Sequence, residues 1–363
     1  TILVKLVENE NMTTLMTFIL FILIFGVVVI SHEFGHYLIA KINGIHVVEF
    51  AIGMGPTVFS WKKKETKYSV KLLPLGGACL FEGEDGLNTQ EGEITEGSFL
   101  HAKVWARIST VLAGPIFNFI LGGIIAVILA GLMVFYEPVL SDVVEGGAAQ
   151  RAGLQAGDRI VALNGDRVYL RDEVILFNRV NNGREFTLEY ERDGQRYTVT
   201  MTPELNSTGG YGMGIYVGKA LKAEGLDVLK YAWYEIRYCV RSTWQSLGLM
   251  LRGQVKSEEV AGPVGIAVNV VGKTYTQAMQ YGWETVALNM GYITLLLTIN
   301  LGILNLLPIP ALDGGRLVFL LVEVVRGKPI PPEKEGMVHF IGLVFFMLLM
   351  VIVFFNDLRN IFS

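Results

Sequence analysis

The sequence predicts an α-helical polytopic membrane protein: about four transmembrane helices, a small membrane-associated β-sheet and an inserted α+β domain. Three observations carry that expectation. First, 52% of the 363 residues are hydrophobic and only 18% are charged. The mean hydropathy of +0.45 lies above that of an ordinary soluble domain. Second, four segments hold the roughly 20 apolar residues that a helix needs to cross a bilayer. Third, the long stretch between the second and third segments switches to strand-like and turn-rich sequence. The net charge of −4 is too mild to suggest a nucleic-acid partner. Cys79 and Cys239, the two cysteines, are far apart in sequence and make neither a disulfide framework nor a cysteine metal site.

Residues 1–43 are read as the first transmembrane helix. Thr1 to Asn11 precede the first methionine, Met12, and are left out of the fold reading. The apolar run at 15–30 has no small-residue cleavage site behind a short core, so it reads as a span and not as a removable signal. Residues 44–103 form a β-rich loop, with strand composition at 47–50, 57–61, 67–71 and 78–81. Gly53-Met54-Gly55-Pro56, Lys62-Lys63-Lys64-Glu65 and Pro74-Leu75-Gly76-Gly77 separate these pieces. The acidic, glycine-rich stretch 83–97 is expected to be a mobile surface loop.

The second span is expected within 104–136. An inserted domain follows at 137–218. Residues 219–285 are read as an amphipathic helical linker: Leu229, Trp233, Ile236, Val240, Trp244, Leu247 and Leu251 recur at helical spacing, while Lys230, Arg237 and Arg241 interrupt any hydrophobic span, so an amphipathic helix fits better than a fifth span. That helix would lie on the membrane or against the inserted domain. The third span is expected within 286–313 and dissolves into Pro308-Ile309-Pro310. Residues 314–363 hold a loop and the fourth span. Lys62, Lys63, Lys64, Lys67 and Lys71 crowd the first loop; Arg316, Arg326, Lys328 and Lys334 crowd the third. Short positive loops stay cytoplasmic, which puts the inserted domain on the outer side.

His32-Glu33-Phe34-Gly35-His36 lies at the end of the first apolar run. Two histidines four apart share a helix face and can hold one Zn²⁺, with the intervening glutamate placed to take a proton from water. Ionisable groups at membrane depth are functional by default. A catalytic zinc wants a third protein ligand. His46, His101 and His339 read as surface or interfacial residues. Ile39 stands where the longer HExxHxxGxxH pattern needs glycine. Asp313, after the proline-broken third span, is the best candidate; a helix N-cap is the alternative reading.

Two resemblances follow from these residues. Ala152-Gly153-Leu154-Gln155-Ala156-Gly157-Asp158-Arg159-Ile160, followed by a strand ending at Asn164-Gly165, resembles a PDZ domain of the bacterial type. The whole chain resembles the site-2 protease family of intramembrane zinc metalloproteases. That resemblance rests on His32-Glu33-x-x-His36, on Ala113-Gly114-Pro115-Ile116-Phe117-Asn118, and on Asn305 with Pro308-x-Pro310-x-x-Asp313-Gly314. It implies that His32, His36 and Asp313 bind Zn²⁺, that Glu33 is the base, and that Asn305 and Asn118 contact substrate. It implies single-span membrane proteins of the anti-sigma-factor or signal-peptide-remnant type as substrates, in a multi-pass protein of the cell membrane among its lipids. One PDZ domain is found here where the best-known proteobacterial members carry two. A metal transporter and a non-catalytic membrane scaffold are the rival readings; the first wants ionisable residues spread over several spans, and the second has no need of Glu33.

Overall fold

The computed structural model describes residues 2–83, 96–206, 209–255 and 260–362. The helices are α1 (Ile2–Ile42), α2 (Val104–Leu132), α3 (Ala148–Arg151), α4 (Arg171–Asn181), α5 (Asp227–Leu251), α6 (Pro263–Gly265), α7 (Lys273–Met279), α8 (Trp283–Asn305), α9 (Asp313–Arg326) and α10 (Pro332–Phe362). The strands are β1 (Val47–Lys63), β2 (Thr66–Phe81), β3 (Val134–Val143), β4 (Arg159–Leu163), β5 (Asp166–Arg167), β6 (Phe186–Arg192), β7 (Gln195–Met201), β8 (Glu204–Leu205), β9 (Tyr211–Gly212) and β10 (Ile215–Lys222). Among the described residues, four helical stretches are long and apolar enough to cross a membrane: Met12–Ile42, Val104–Leu132, Trp283–Asn305 and Glu333–Ile361. The chain divides into two compact units, residues 1–125 with 255–363, and residues 126–254.

In the first unit, α1 packs through Phe21 and Ile24 against Val271, Tyr275, Val286, Met290 and Ile293. Its other end packs through Ala40 against Val47, Phe81, Phe99, Ile108, Val111 and Leu320. The four short strands expected between 47 and 81 are joined into two bent strands. Residues 47–52 pair with 77–81, and 57–63 pair with 66–71. Residues 49–52 also meet 67–70, so the four segments still make one small sheet. The bends fall at Gly53, Gly55 and Gly76, all with positive φ. The loop expected at 83–97 lies largely outside the described residues. Near the far end of α10, Asp357 is 1% exposed and accepts the Gly262 and Gly265 backbone N–H groups at 2.9 and 2.7 Å. It caps the start of α6, which runs on into a π-helical turn at Ile266–Gly272.

In the second unit the sheet order is β10-β3-β4-β6-β7, with β5 paired to β4. Leu140, Leu154, Ile160, Leu163 and Leu188, each at most 1% exposed, fill its core. Asp193 and Gly194 join β6 to β7 with positive φ at both positions, the requirement of a tight two-residue hairpin. The sequence boundaries of the insertion shift at both ends. β3 starts at Val134, because pairing with β10 runs to Val134↔Lys222. The linker helix α5 belongs to this same unit. Phe135 packs at a tilt against Tyr231 and Tyr169 stacks on Tyr234, with ring centroids 4.9 and 4.3 Å apart. These contacts place α5 against the inserted domain, one of the two positions expected for it.

Candidate metal centre

α1 carries His32 and His36 one turn apart, both 7% exposed. Two prolines break the chain after α8, and α9 restarts at Asp313. The break brings Asp313 Oδ2 to 3.1 Å from His32 Nε2 and 3.3 Å from His36 Nε2. The two Nε2 atoms are 3.3 Å apart. These are the three groups whose donor atoms converge within 4.8 Å. A tetrahedral zinc with ligands at about 2.0–2.1 Å separates its donors by about 3.3 Å, so the triangle has the size the ion needs. Its chemistry agrees. Asp313 Oδ2 is buried without a hydrogen-bond donor, and three electron-pair donors facing one point call for a cation. The N-cap alternative for Asp313 loses ground: it is the first residue of α9, Leu312 takes the cap position, and no side-chain cap bond forms there.

The ring orientations are set from α2. His36 Nδ1 donates to the Thr110 carbonyl oxygen at 2.8 Å. A carbonyl can only accept, so Nδ1 carries a proton, and Nε2 is the nitrogen left to offer a lone pair to a metal. His32 Nδ1 lies 3.2 Å from the side-chain amide of Asn118, which is fully buried. Gly114, between these two partners on α2, lies flat under the site. A Cβ there would run into His36 Nε2 and come to 2.8 Å from His32 Cε1. In the sequence Gly114 stands out only as part of the Ala113-Gly114-Pro115 motif.

Glu33 is half-buried and lies against β2, where the Cys79 backbone N–H is its hydrogen-bond partner. A Cβ at Gly77 would sit 2.7 Å from Glu33 Cγ, so a side chain in that place would push the carboxylate aside. Asn305, the last residue of α8, has its amide 3.4 Å from His32 Nε2 and is half-buried, open to the site. Asn118, expected to contact substrate, is 0% exposed and stands behind His32. His46 pairs with Glu82 at 2.8 Å and His101 is exposed. His339 is more than interfacial: its Nδ1 accepts the Ala311 backbone N–H at 3.0 Å. Ala311 has φ +72°, a strained value for a residue with a Cβ. So α10 steadies the turn that delivers Asp313, a role no local sequence signal announces.

A histidine pair on a membrane-spanning helix, an aspartate from a broken one and a glutamate alongside define an intramembrane metallopeptidase. Residues 20–349 match Peptidase family M50, and the chain belongs to that family. It is similar to Zinc metalloprotease RasP of Geobacillus kaustophilus, 35% identical over 96% of this chain and 99% of that one. It is 32% identical to the Regulator of sigma-W protease RasP of Bacillus subtilis, over 95% and 99%. It is 33% identical to a putative zinc metalloprotease of Clostridium acetobutylicum, over 93% and 95%. Among solved structures, the PDZ domain of an SdrC-like protein from Listeria monocytogenes aligns with 24% of this chain and 93% of its own, at 20% identity and a TM-score of 0.21. The chain is thus a zinc metalloprotease of the site-2 type and a multi-pass membrane protein.

Proposed function

We propose that His32, His36 and Asp313 hold one zinc ion and that the protein cleaves the transmembrane segments of single-span membrane proteins. The convergence of the three donors, without a cation of the protein's own, carries this reading. Zinc bound there supplies a Lewis acid that polarises the scissile carbonyl and brings the pKa of a water toward about 7. Glu33, held by the Cys79 N–H, accepts the proton of the attacking water and returns it to the leaving nitrogen. A helical substrate hides its peptide bonds and must be unwound. β2 passes directly beside Glu33, and an unwound segment laid along that strand would have its backbone paired there. Asn305 donates to a carbonyl that the unwinding leaves bare.

The substrate class rests on the relatives. The Bacillus subtilis protein is called a regulator of sigma-W, which favours anti-sigma-factor substrates over signal-peptide remnants. The insertion is read as a single PDZ-like domain that screens substrates by size. Its groove between α4 and β10, lined by Val174, Ile175, Ile215 and Val217, also suits a recruiting role. Replacing 140–203 with a short linker separates the two: screening predicts faster cleavage of untrimmed substrates, recruitment predicts slower cleavage of all.

The central test is co-expression with single-span proteins, each with and without its outer domain. Wild type should cleave the trimmed forms. Glu33→Gln should lose activity by about 10²–10⁴-fold, the worth of a general base, while keeping its zinc. A Glu33→Gln enzyme that cleaves near the wild-type rate sinks the mechanism. Orientation is tested apart from activity: a reporter joined near Asn206 should be extracytoplasmic and one near Asn88 cytoplasmic, and the reverse pattern refutes the assignment.

A further inference from the structure

The two histidines differ in how their outer nitrogens are held, and the difference points to an unassigned role for Asn118. His36 Nδ1 donates to a backbone carbonyl, Thr110 O, at 2.8 Å. His32 Nδ1 faces the carboxamide of Asn118, with Nδ2 drawn against it at 3.2 Å. In that orientation the Asn118 Oδ1 is buried and has no donor. The nitrogen and oxygen ends of a carboxamide are nearly isosteric, so hydrogen bonding decides which is which. His32 Nε2 looks into the corner shared with His36 Nε2 and Asp313 Oδ2. To offer a lone pair there, it must be bare. The imidazole proton then sits on Nδ1, which needs an acceptor, and an NH₂ group cannot be one. Turning the amide by half a revolution puts Oδ1 against Nδ1–H and gives the orphaned oxygen its donor.

We infer that Asn118 is a positioning residue: its Oδ1 accepts the His32 Nδ1 proton and fixes the tautomer that turns Nε2 toward the metal. This rests on the zinc reading above. α2 then serves both ligands alike, through Thr110 O for His36 and Asn118 Oδ1 for His32. The partners are eight residues apart on α2 and the histidines four apart on α1, so each ring meets α2 at its own level. The Asn118 backbone is itself pinned, since Thr298 Oγ1 on α8 donates to its carbonyl at 3.2 Å. Ordered acceptors behind ligating histidines are worth about 10–100-fold in metal affinity.

The test is zinc affinity of the purified full chain in detergent, read by competition with a chelator, for wild type, Asn118→Asp and Asn118→Leu. Aspartate keeps an acceptor and cannot donate; leucine keeps most of the volume and offers neither. Asn118→Leu should bind zinc about 10–100-fold more weakly, and Asn118→Asp should match or exceed wild type. Cobalt substituted for zinc gives a second readout: its visible spectrum should be unchanged in the aspartate variant and altered in the leucine one. An aspartate variant that loses affinity as far as the leucine one overturns the acceptor role, and decides the matter even if leucine does not fold. A leucine variant with wild-type affinity and a raised KM returns Asn118 to substrate contact. Wild type that binds no zinc overturns the metal reading itself, a different failure from zinc-binding variants that are all alike.

Discussion

Carboxylates are buried in both units of the molecule, and they are treated in opposite ways. In the inserted unit Asp158 is 1% exposed and accepts two N–H groups of the Arg192 guanidinium, at 2.6 and 2.7 Å, and the Gln155 backbone N–H at 2.8 Å. Glu173 is 3% exposed; it accepts the Tyr169 and Leu170 N–H groups at 2.6 and 3.2 Å and pairs with Arg237. Both of these buried charges have their donors, as folding demands. In the membrane unit Asp313 Oδ2 lies 3.1 and 3.3 Å from the Nε2 atoms of His32 and His36 and has no other partner. A buried charge with a full set of partners is architecture. Three potential metal ligands converging on one point are the arrangement that suits a cation, and the contrast separates the two without reference to any motif.

The sharpest way to break that contrast is to fill the cation's place with protein. Gly114→Ala adds one methyl group to α2, where alanine is otherwise the better helix former. That methyl would stand against His36 Nε2 and His32 Cε1. The variant should fold and insert as wild type does, yet fail to hold stoichiometric zinc and lose proteolysis with it. Metal analysis of the purified protein decides this; full zinc occupancy in Gly114→Ala would mean that the triangle of donors is not where the ion binds.

The converse experiment removes a partner from the paired region. Arg192→Leu strands the Asp158 carboxylate in the core of the inserted sheet. Breaking a buried pair from one side costs about 3–5 kcal/mol, so thermal unfolding of the insertion should come well below wild type. Zinc content should be untouched. If the melt is unchanged, the Asp158 pair contributes nothing and the contrast drawn above loses one side.

The contrast also explains what could be read from sequence. The spans and the α5 stripe were legible because each is a local pattern: apolar length and helical period. His32, Glu33 and His36 were legible for the same reason, being spaced by one helical turn. Asp313 needed a long-range step, and only the proline break and Asn305 pointed to it. Thr110 and Cys79 act through their backbones, which carry no residue signature. Gly114 acts by what it lacks, and His339 by reaching back 28 residues to Ala311. Tertiary contacts from Tyr231, Tyr234 and Arg237 group α5 with the inserted unit, and its helical period alone does not announce them.

One carboxylate in the inserted unit breaks the pattern, and it supplies the finest test. Glu235 on α5 is 8% exposed, and its Oε2 is buried without a partner. Asp172 and Glu173 face it from α4, with Tyr238 and Cys239 on its own helix. Arg237, the nearest candidate cation by sequence, is taken up by Glu173 and the Arg167 carbonyl. Burial, and then the negative charge of Asp172 and Glu173, push the Glu235 carboxyl up from 4.5 to about 7. The proton is therefore held more tightly in the folded chain than in the unfolded one. Below pH 4.5 both states are protonated and nothing is lost. Between 4.5 and 7 the unfolded chain gives up its proton first, so stability falls as pH rises. Above 7 the loss is complete, at about 3 kcal/mol for a displacement of that size. Glu235→Gln removes the charge and keeps the shape. It should leave thermal unfolding unchanged at pH 4.5, and unfold several degrees above wild type at pH 8, where the wild-type carboxylate is ionised. Equal melting at both pH values would show that Glu235 has found a donor in the folded chain. The rule that every structural charge in this unit is paired would then hold without exception.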